Sequence, residues 1–148
     1  LTPAAPPGRV LGLDLGSRRI GVAVSDPGRV IASPDRVLSR SGDAERDRRA
    51  IAAIADEWEA RVLVIGLPLS LDGSEGPAAQ AARRESEHLA ELTGLPVETY
   101  DERFTTVTAD QQLAAQNMRG RDRRKVVDKV AAAVILQAWL DRRPQDSS

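Results

Sequence analysis

Residues 10–26 carry the clearest polar and apolar alternation in the chain. Leu11, Leu13 and Leu15 alternate with Val10, Gly12 and Asp14, so a strand here turns three leucines to one face. Asp14 falls on the other face, beside a glycine that leaves it uncovered. Past Gly16 and Ser17, the residues Gly21, Ala23 and Ser25 alternate with Ile20, Val22 and Val24, giving the returning strand one bulky apolar face and one of small side chains. The two runs predict a β-hairpin with a carboxylate at its turn end. Its small face admits a close neighbour, either substrate or a packed helix.

The remaining pattern alternates helix and strand. Val30 to Leu38 is a third apolar stretch, and Pro34 marks it as an edge or bulged strand. Ile51, Ile54, Ala55 and Trp58 stand at helical spacing within Asp43–Ala60, with Asp43 as N-cap. Val62-Leu63-Val64-Ile65-Gly66 is an uninterrupted apolar run, the mark of a buried parallel strand at the centre of a sheet. A loop of turn formers, Leu67 to Gly76, follows it. Pro77 then opens a helix that runs to Thr93 and stops at Gly94. Pro96 to Asp101 restores strand character, and Thr105 or Thr106 caps a helix containing Val107, Gln111, Ala114 and Met118. Arg119 to Lys125 reads as a basic connection around Gly120. The last helix, Val126 to Asp141, presents Val127, Val130, Ala131, Val134, Ile135, Ala138 and Trp139 on a broad apolar face. A hairpin-led meander joined to alternating helices and strands implies an α/β fold, a mixed sheet with helices on both faces.

Length and composition narrow the chemistry. A chain of 148 residues, 41% hydrophobic, fits one compact domain that buries roughly 70% of the unfolded surface. Residues 1–8, with three prolines, read as a flexible leader, residues 9–141 as the domain, and residues 142–148 as a frayed tail. The absence of cysteine excludes thiolate metal sites and cysteine nucleophiles. The lone His88 reads as a surface or boundary residue, so a metal would have to sit on oxygen ligands. Trp58 and Trp139 lie on apolar helix faces and are expected to pack. No apolar run approaches the ~20 residues of a membrane span, and no charged-then-apolar leader opens the chain, so a cytoplasmic compartment is expected. With 21 Lys and Arg against 22 Asp and Glu, any hold on nucleic acid must come from local patches. Aromatics at 3% disfavour recognition of single strands by stacking.

Three carboxylates stand at ends of predicted elements: Asp14 closing the first strand, Glu102 past the last strand, and Asp128 in the first turn of the final helix. Ligands bind at strand ends in open α/β sheets. Should these side chains converge, two charges ~4 Å apart repel by about 4 kcal/mol at an effective dielectric near 20. A divalent cation relieves that repulsion. Hard oxygen donors suit Mg²⁺ or Mn²⁺, which engage phosphate oxygens and point to phosphodiester hydrolysis. Each carboxylate also has an ordinary account: Asp14 organises the turn, Glu102 pairs with Arg103 in solvent, and Asp128 complements the helix dipole. Arg119, Arg121, Arg123, Arg124 and Lys125 form either a solvated loop or a clamp on substrate phosphates, to which Arg18 and Arg19 at the hairpin turn would add.

The segments Gly12–Asp26, Val64–Ser74, Asp101–Thr106 and Asp128–Ala132 resemble, in order and spacing, the successive signatures of the RuvX/YqgF family, bacterial proteins described as Holliday junction resolvases or pre-16S ribosomal RNA nucleases. The resemblance spans about residues 9–141. It implies a ribonuclease H-like fold, a five-stranded mixed sheet whose first three strands are antiparallel. It also implies catalytic acids that map onto Asp14, Glu102 and Asp128; element ends alone do not rank these above Asp26, Asp72 or Asp101. Ser70 departs from the family, whose members often carry asparagine there, and Phe104 replaces a more usual leucine.

Three functions follow as expectations. The first is a two-metal endonuclease of structured nucleic acid, with Asp14 bridging Mg²⁺ or Mn²⁺ ions that Glu102 and Asp128 help to hold, acting on precursor rRNA or a four-way DNA junction. Symmetric cutting of a junction calls for a homodimer, whereas trimming an RNA end does not. The second is a non-catalytic nucleic-acid-binding module in ribosome maturation or transcription. The third, a phosphotransferase akin to sugar kinases and actin, needs two such domains where this chain has room for one.

Overall fold

The computed structural model describes residues 8–105 and 120–142, with the side chains of residue 104 and of 120–129 outside the described set. Strand β1 (Val10–Leu15) turns back as β2 (Arg19–Ser25) and then β3 (Ala32–Ser39), followed by α1 (Ala44–Trp58), β4 (Val62–Leu67), α2 (Pro77–Thr93), β5 (Val97–Asp101), a 3₁₀ turn at Glu102–Phe104, and α3 (Gly120–Arg142). The five strands form one mixed sheet in the order β3-β2-β1-β4-β5. β1–β2 and β2–β3 pair antiparallel, while β1–β4 and β4–β5 pair parallel.

β1 takes the centre, and the expected central strand β4 sits one place off it, buried along its whole length between β1 and β5. β3 is an edge strand, as Pro34 implied. Its register slips opposite Val22 and Ala23, which pair with Arg36 and Pro34 and leave Asp35 bulged. Local signals set the helix ends. Asp43 caps α1 by accepting from the backbone N–H groups of Glu45 and Arg46 at 3.0 and 3.3 Å. α2 opens at Pro77 and closes at Gly94, whose φ of 71° is the left-handed conformation glycine tolerates.

The sheet divides the core in two. On one face Leu11, Leu13, Ile20, Val22, Leu63 and Ile65 pack under α1 and α2 through Ile51, Ile54, Ala82 and Leu89. On the other, Val10, Ala23, Val62 and Val64 meet α3 through Ala132, Ile135, Leu136 and Trp139. The small face of β2 is therefore covered by a helix over Ala23. At its far end the buried Ser25 hydroxyl accepts from the Val10 N–H at 2.8 Å and donates to the Asp26 carbonyl at 2.9 Å. Trp139 is buried as expected, Trp58 packs partly buried against the first core, and His88 is exposed.

Two expectations need correction. The basic stretch from Gly120 to Lys125 is not a connection but the first turns of α3, because Arg and Lys are good helix formers and Gly120 falls at the helix end, where it breaks nothing. Asp128 accordingly lies more than two turns into α3 rather than in its first turn, so a dipole role at the helix start does not apply to it. The expected helix around Val107–Met118, and Arg119, lie outside the described residues.

Candidate active site at the ends of β1 and β5

Alternation along β1 sends Leu11 and Leu13 into the core beneath α1 and α2 and turns Gly12 and Asp14 toward α3. Asp14 pairs across β2 with Gly21, which offers no side chain to cover it. Two strands away, β5 ends at Asp101. The Asp101 carboxylate accepts from the Arg103 N–H at 2.9 Å and caps the 3₁₀ turn, while the Thr105 N–H and hydroxyl both donate to the Glu102 carbonyl. That turn folds Glu102 back over β4. A Cβ built on Gly66 would lie 2.7 Å from Glu102 Oε2 and 2.7 Å from Ile135 Cδ1. Glycine at 66 thus makes the hollow that receives the carboxylate.

Burial, and then the negative charges of Asp14 and Asp101, push the Glu102 carboxyl up to about 7. The sheet order has brought Asp14 and Glu102 into one electrostatic neighbourhood. Asp26, Asp72 and Asp101 move the other way, and each has a structural reason. Asp26 is held low chiefly by the Ile31 N–H, with the Val30 and Gly28 N–H groups also donating to it. Ser74 lowers Asp72 through its hydroxyl and N–H. The guanidinium of Arg103 lowers Asp101. These hydrogen bonds separate turn-forming aspartates from the crowded pair.

The Asp128 side chain lies outside the described set, but its backbone register is informative. α3 runs back along the sheet: Gln137 reaches the start of β3, where its side chain accepts from the Ala32 N–H and donates to the Val30 carbonyl, whereas Ala132 and Leu136 lie against Gly12. Position 128 precedes Ala132 by one turn on the same face, about 6 Å along the axis. Asp14 follows Gly12 by two strand residues, about 6.6 Å. From Ala132 toward its N-terminus α3 therefore heads for the Asp14 end of the sheet, the side on which position 128 stands.

The basic residues divide differently. Arg18 is exposed at the hairpin tip and Arg19 opens β2 half-buried, both at the Asp14 end of the sheet. Arg121, Arg123, Arg124 and Lys125 occupy the first turns of α3, and Arg119 is outside the described residues. Arg103, which composition does not single out, binds Asp101 through Nε and Nη2 at 2.9 and 2.6 Å and the Leu71 carbonyl through Nη1 at 3.1 Å. It joins the end of β5 to the β4–α2 loop. A separate cleft of about 230 Å³ between the hairpin turn and α2 opens on the face of Leu15, away from Asp14.

The family profile described as "RuvX: Holliday junction resolvase" matches residues 8–142. The chain belongs to the RuvX family. A relative from Anaeromyxobacter sp. (strain Fw109-5), named "Putative pre-16S rRNA nuclease", is 50% identical over 135 residues, covering 91% of this chain and 98% of the relative. A Myxococcus xanthus protein of the same name is 45% identical over 140 residues, covering 94% and 92%. The structure titled "T. thermophilus RuvC in complex with Holliday junction substrate" superposes with a TM-score of 0.57 at 14% identity, over 91% of this chain and 97% of that one. At that identity the likeness speaks to the fold, and the fold is ribonuclease H-like, with the antiparallel β1–β2–β3 meander the family implies.

The donor set fits a hard divalent cation. Asp14 and Glu102 offer oxygen donors in a chain without cysteine, and burial first, then the charges of Asp14 and Asp101, drive Glu102 toward its protonated form. Among the described residues no group of three or more acidic or imidazole side chains could hold a metal ion, and Asp101, whose charge also raises Glu102, is bound by Arg103; Asp128 is the third candidate. No helix among the described residues is long and apolar enough to cross a membrane.

Proposed function

We propose that this RuvX-family chain is a metal-dependent endonuclease of structured nucleic acid, with Asp14, Glu102 and Asp128 as the residues that hold Mg²⁺ or Mn²⁺. The observation that carries this reading is the pairing of Asp14 with a Glu102 carboxyl raised to about 7 at the ends of β1 and β5. A bound divalent ion supplies charge stabilisation at a phosphoryl oxygen and lowers the pKa of water. The chain's own residues do the rest. The β1–β2 ladder would hold Asp14 and the 3₁₀ turn capped by Asp101 would hold Glu102, orienting their carboxylates in advance. The Ile135 side chain closes one side of the hollow at Gly66. Arg18, Arg19 and the basic first turns of α3, together with Arg119, would hold backbone phosphates through forked, charge-assisted bonds.

Two substrates fit that chemistry. The names of the relatives support precursor 16S rRNA, and the family description supports a four-way junction. The test is cleavage of a junction and of a pre-16S end fragment side by side in Mn²⁺, with the wild-type chain and Asp14→Asn. The expected result is cutting of at least one substrate by wild type only. Metal-independent binding with no cutting of either would instead make the chain a nucleic-acid-binding module.

A further inference from the structure

The loop between β4 and α2 carries a leucine that contributes nothing to the core. Leu71 is 94% exposed, yet its backbone is tightly tied. It sits second in a turn closed by the Gly73 N–H on the Ser70 carbonyl at 2.8 Å, and the Ser70 N–H reaches the Ser74 carbonyl at 3.0 Å. Asp72 accepts from the Ser74 N–H and hydroxyl at 2.9 and 2.7 Å. The Leu71 carbonyl itself accepts from Arg103 Nη1 at 3.1 Å, and the guanidinium lies about 3.5 Å from where a Gly73 side chain would begin. Every one of these bonds uses backbone or polar atoms. None uses the leucine side chain, which is held in place and left in water.

Position gives the side chain a use. Val30 and Ile31, also exposed, sit at the β2–β3 turn, and Leu92 sits near the end of α2. All three are at the end of the sheet away from Asp14. Leu71 belongs to the loop leaving the end of β4, and its carbonyl is gripped by the residue that follows Glu102. Proteins that distort nucleic acid push apolar side chains between base steps and unstack them. With aromatics at 3% of the chain and none in this loop, leucine is the group available for that task.

We infer that Leu71 is an apolar wedge that enters the base stack of the bound nucleic acid beside the phosphate presented to Asp14 and Glu102, its position set by Arg103. The inference rests on the nuclease reading above and adds a specificity device to it: substrates whose stack is already broken at that step are favoured. Branches, bulges and strand ends meet that condition.

The experiment uses the full chain with a four-way junction and a pre-16S end fragment carrying 2-aminopurine at each step flanking the cut. In an Asp14→Asn background, binding is expected to raise the fluorescence at one step, Leu71→Ser to remove the rise, and Leu71→Phe to keep it. With Asp14 intact, Leu71→Ser is expected to slow cutting of the stacked substrate about tenfold or more, and an unpaired base at that step to restore the rate. Thermal unfolding of both variants should match wild type, since the side chain is in solvent. A fluorescence rise that survives Leu71→Ser, or slow cutting that an unpaired base does not rescue, overturns the wedge while leaving the nuclease intact. The latter outcome would point to a protein partner for Leu71. Wild type that neither binds nor cuts either substrate overturns both readings.

Discussion

Glu102 lies directly over Gly66, so that any side chain on residue 66 would strike its carboxylate oxygen at 2.7 Å and Ile135 at the same distance. Gly66→Ala is therefore expected to lower activity more than stability. Overpacking of this size costs about 1–3 kcal/mol, and the displaced group is a proposed metal ligand. Cleavage rate and melting temperature measured on the same preparation check this; an alanine variant with wild-type cleavage would mean that Glu102 needs no fixed position.

Asp14→Asn keeps the size of the side chain and removes its charge. The fold should persist, because the strand around residue 14 is held by the β1–β2 ladder. Metal-dependent cleavage should fall by about a hundredfold or more, the scale on which a lost electrostatic contact to a transition state is felt. Circular dichroism alongside a cleavage time course separates the two effects.

The raised Glu102 carboxyl makes stability depend on pH with a definite sign. The folded chain binds this proton more tightly than the unfolded chain, whose glutamate titrates near 4.5. Stability from Glu102 is therefore full below about 4.5 and is lost as pH rises through about 7. Asp26, Asp72 and Asp101, all shifted down, act below the usual carboxylate range and outside this window. Allowing for solvent screening at a partly exposed group, the loss is of order 1–2 kcal/mol. Melting curves from pH 5 to 8 should show the decline, and Glu102→Gln should flatten it. Added Mg²⁺ should stabilise the wild type more at pH 8 than at pH 5, because the ion competes with the proton for the carboxylate.

Gln137 ties α3 to the start of β3 by accepting from the Ala32 N–H at 2.9 Å and donating to the Val30 carbonyl at 3.0 Å. Gln137→Ala should cost about 1–2 kcal/mol through the partly buried donor left unpaired. Amide exchange should quicken around residues 30–32, and cleavage should be retained, since this contact lies at the far end of the sheet from Asp14. Exchange that accelerates equally around residue 14 would show that the two ends are not independent.

Much of this molecule is legible in one dimension, and the limits are instructive. The β1–β2 hairpin follows from the two-residue period of Leu11, Leu13 and Leu15, the end of α2 from Gly94, and the edge position of β3 from Pro34, because each signal acts within a few residues. The basic run 120–125 misleads because charge and a glycine suggest a loop, whereas Arg and Lys also favour helix; only packing of the downstream face decides it. Asp14 and Asp26 look alike in sequence, each an aspartate where a strand gives way to a turn. What separates them is that Asp26 is filled by three backbone N–H groups and Asp14 is set near Glu102. That proximity requires the sheet order β1-β4-β5, a long-range fact. The Arg103 bond to Leu71 spans 32 residues and leaves no local trace.

One helix closes the second core through Ile135 and Leu136 and also carries position 128, one turn before Ala132. If the proposed function holds, packing of that core bears on the metal site as well as on stability. A methyl group gained at Gly12 would meet the Leu136 Cβ at 2.7 Å, so that β1 or α3 would have to shift. On the nuclease reading, the fit of these apolar side chains would also govern the placement of the proposed metal ligands, and libraries scored by stability alone would miss that second demand on them.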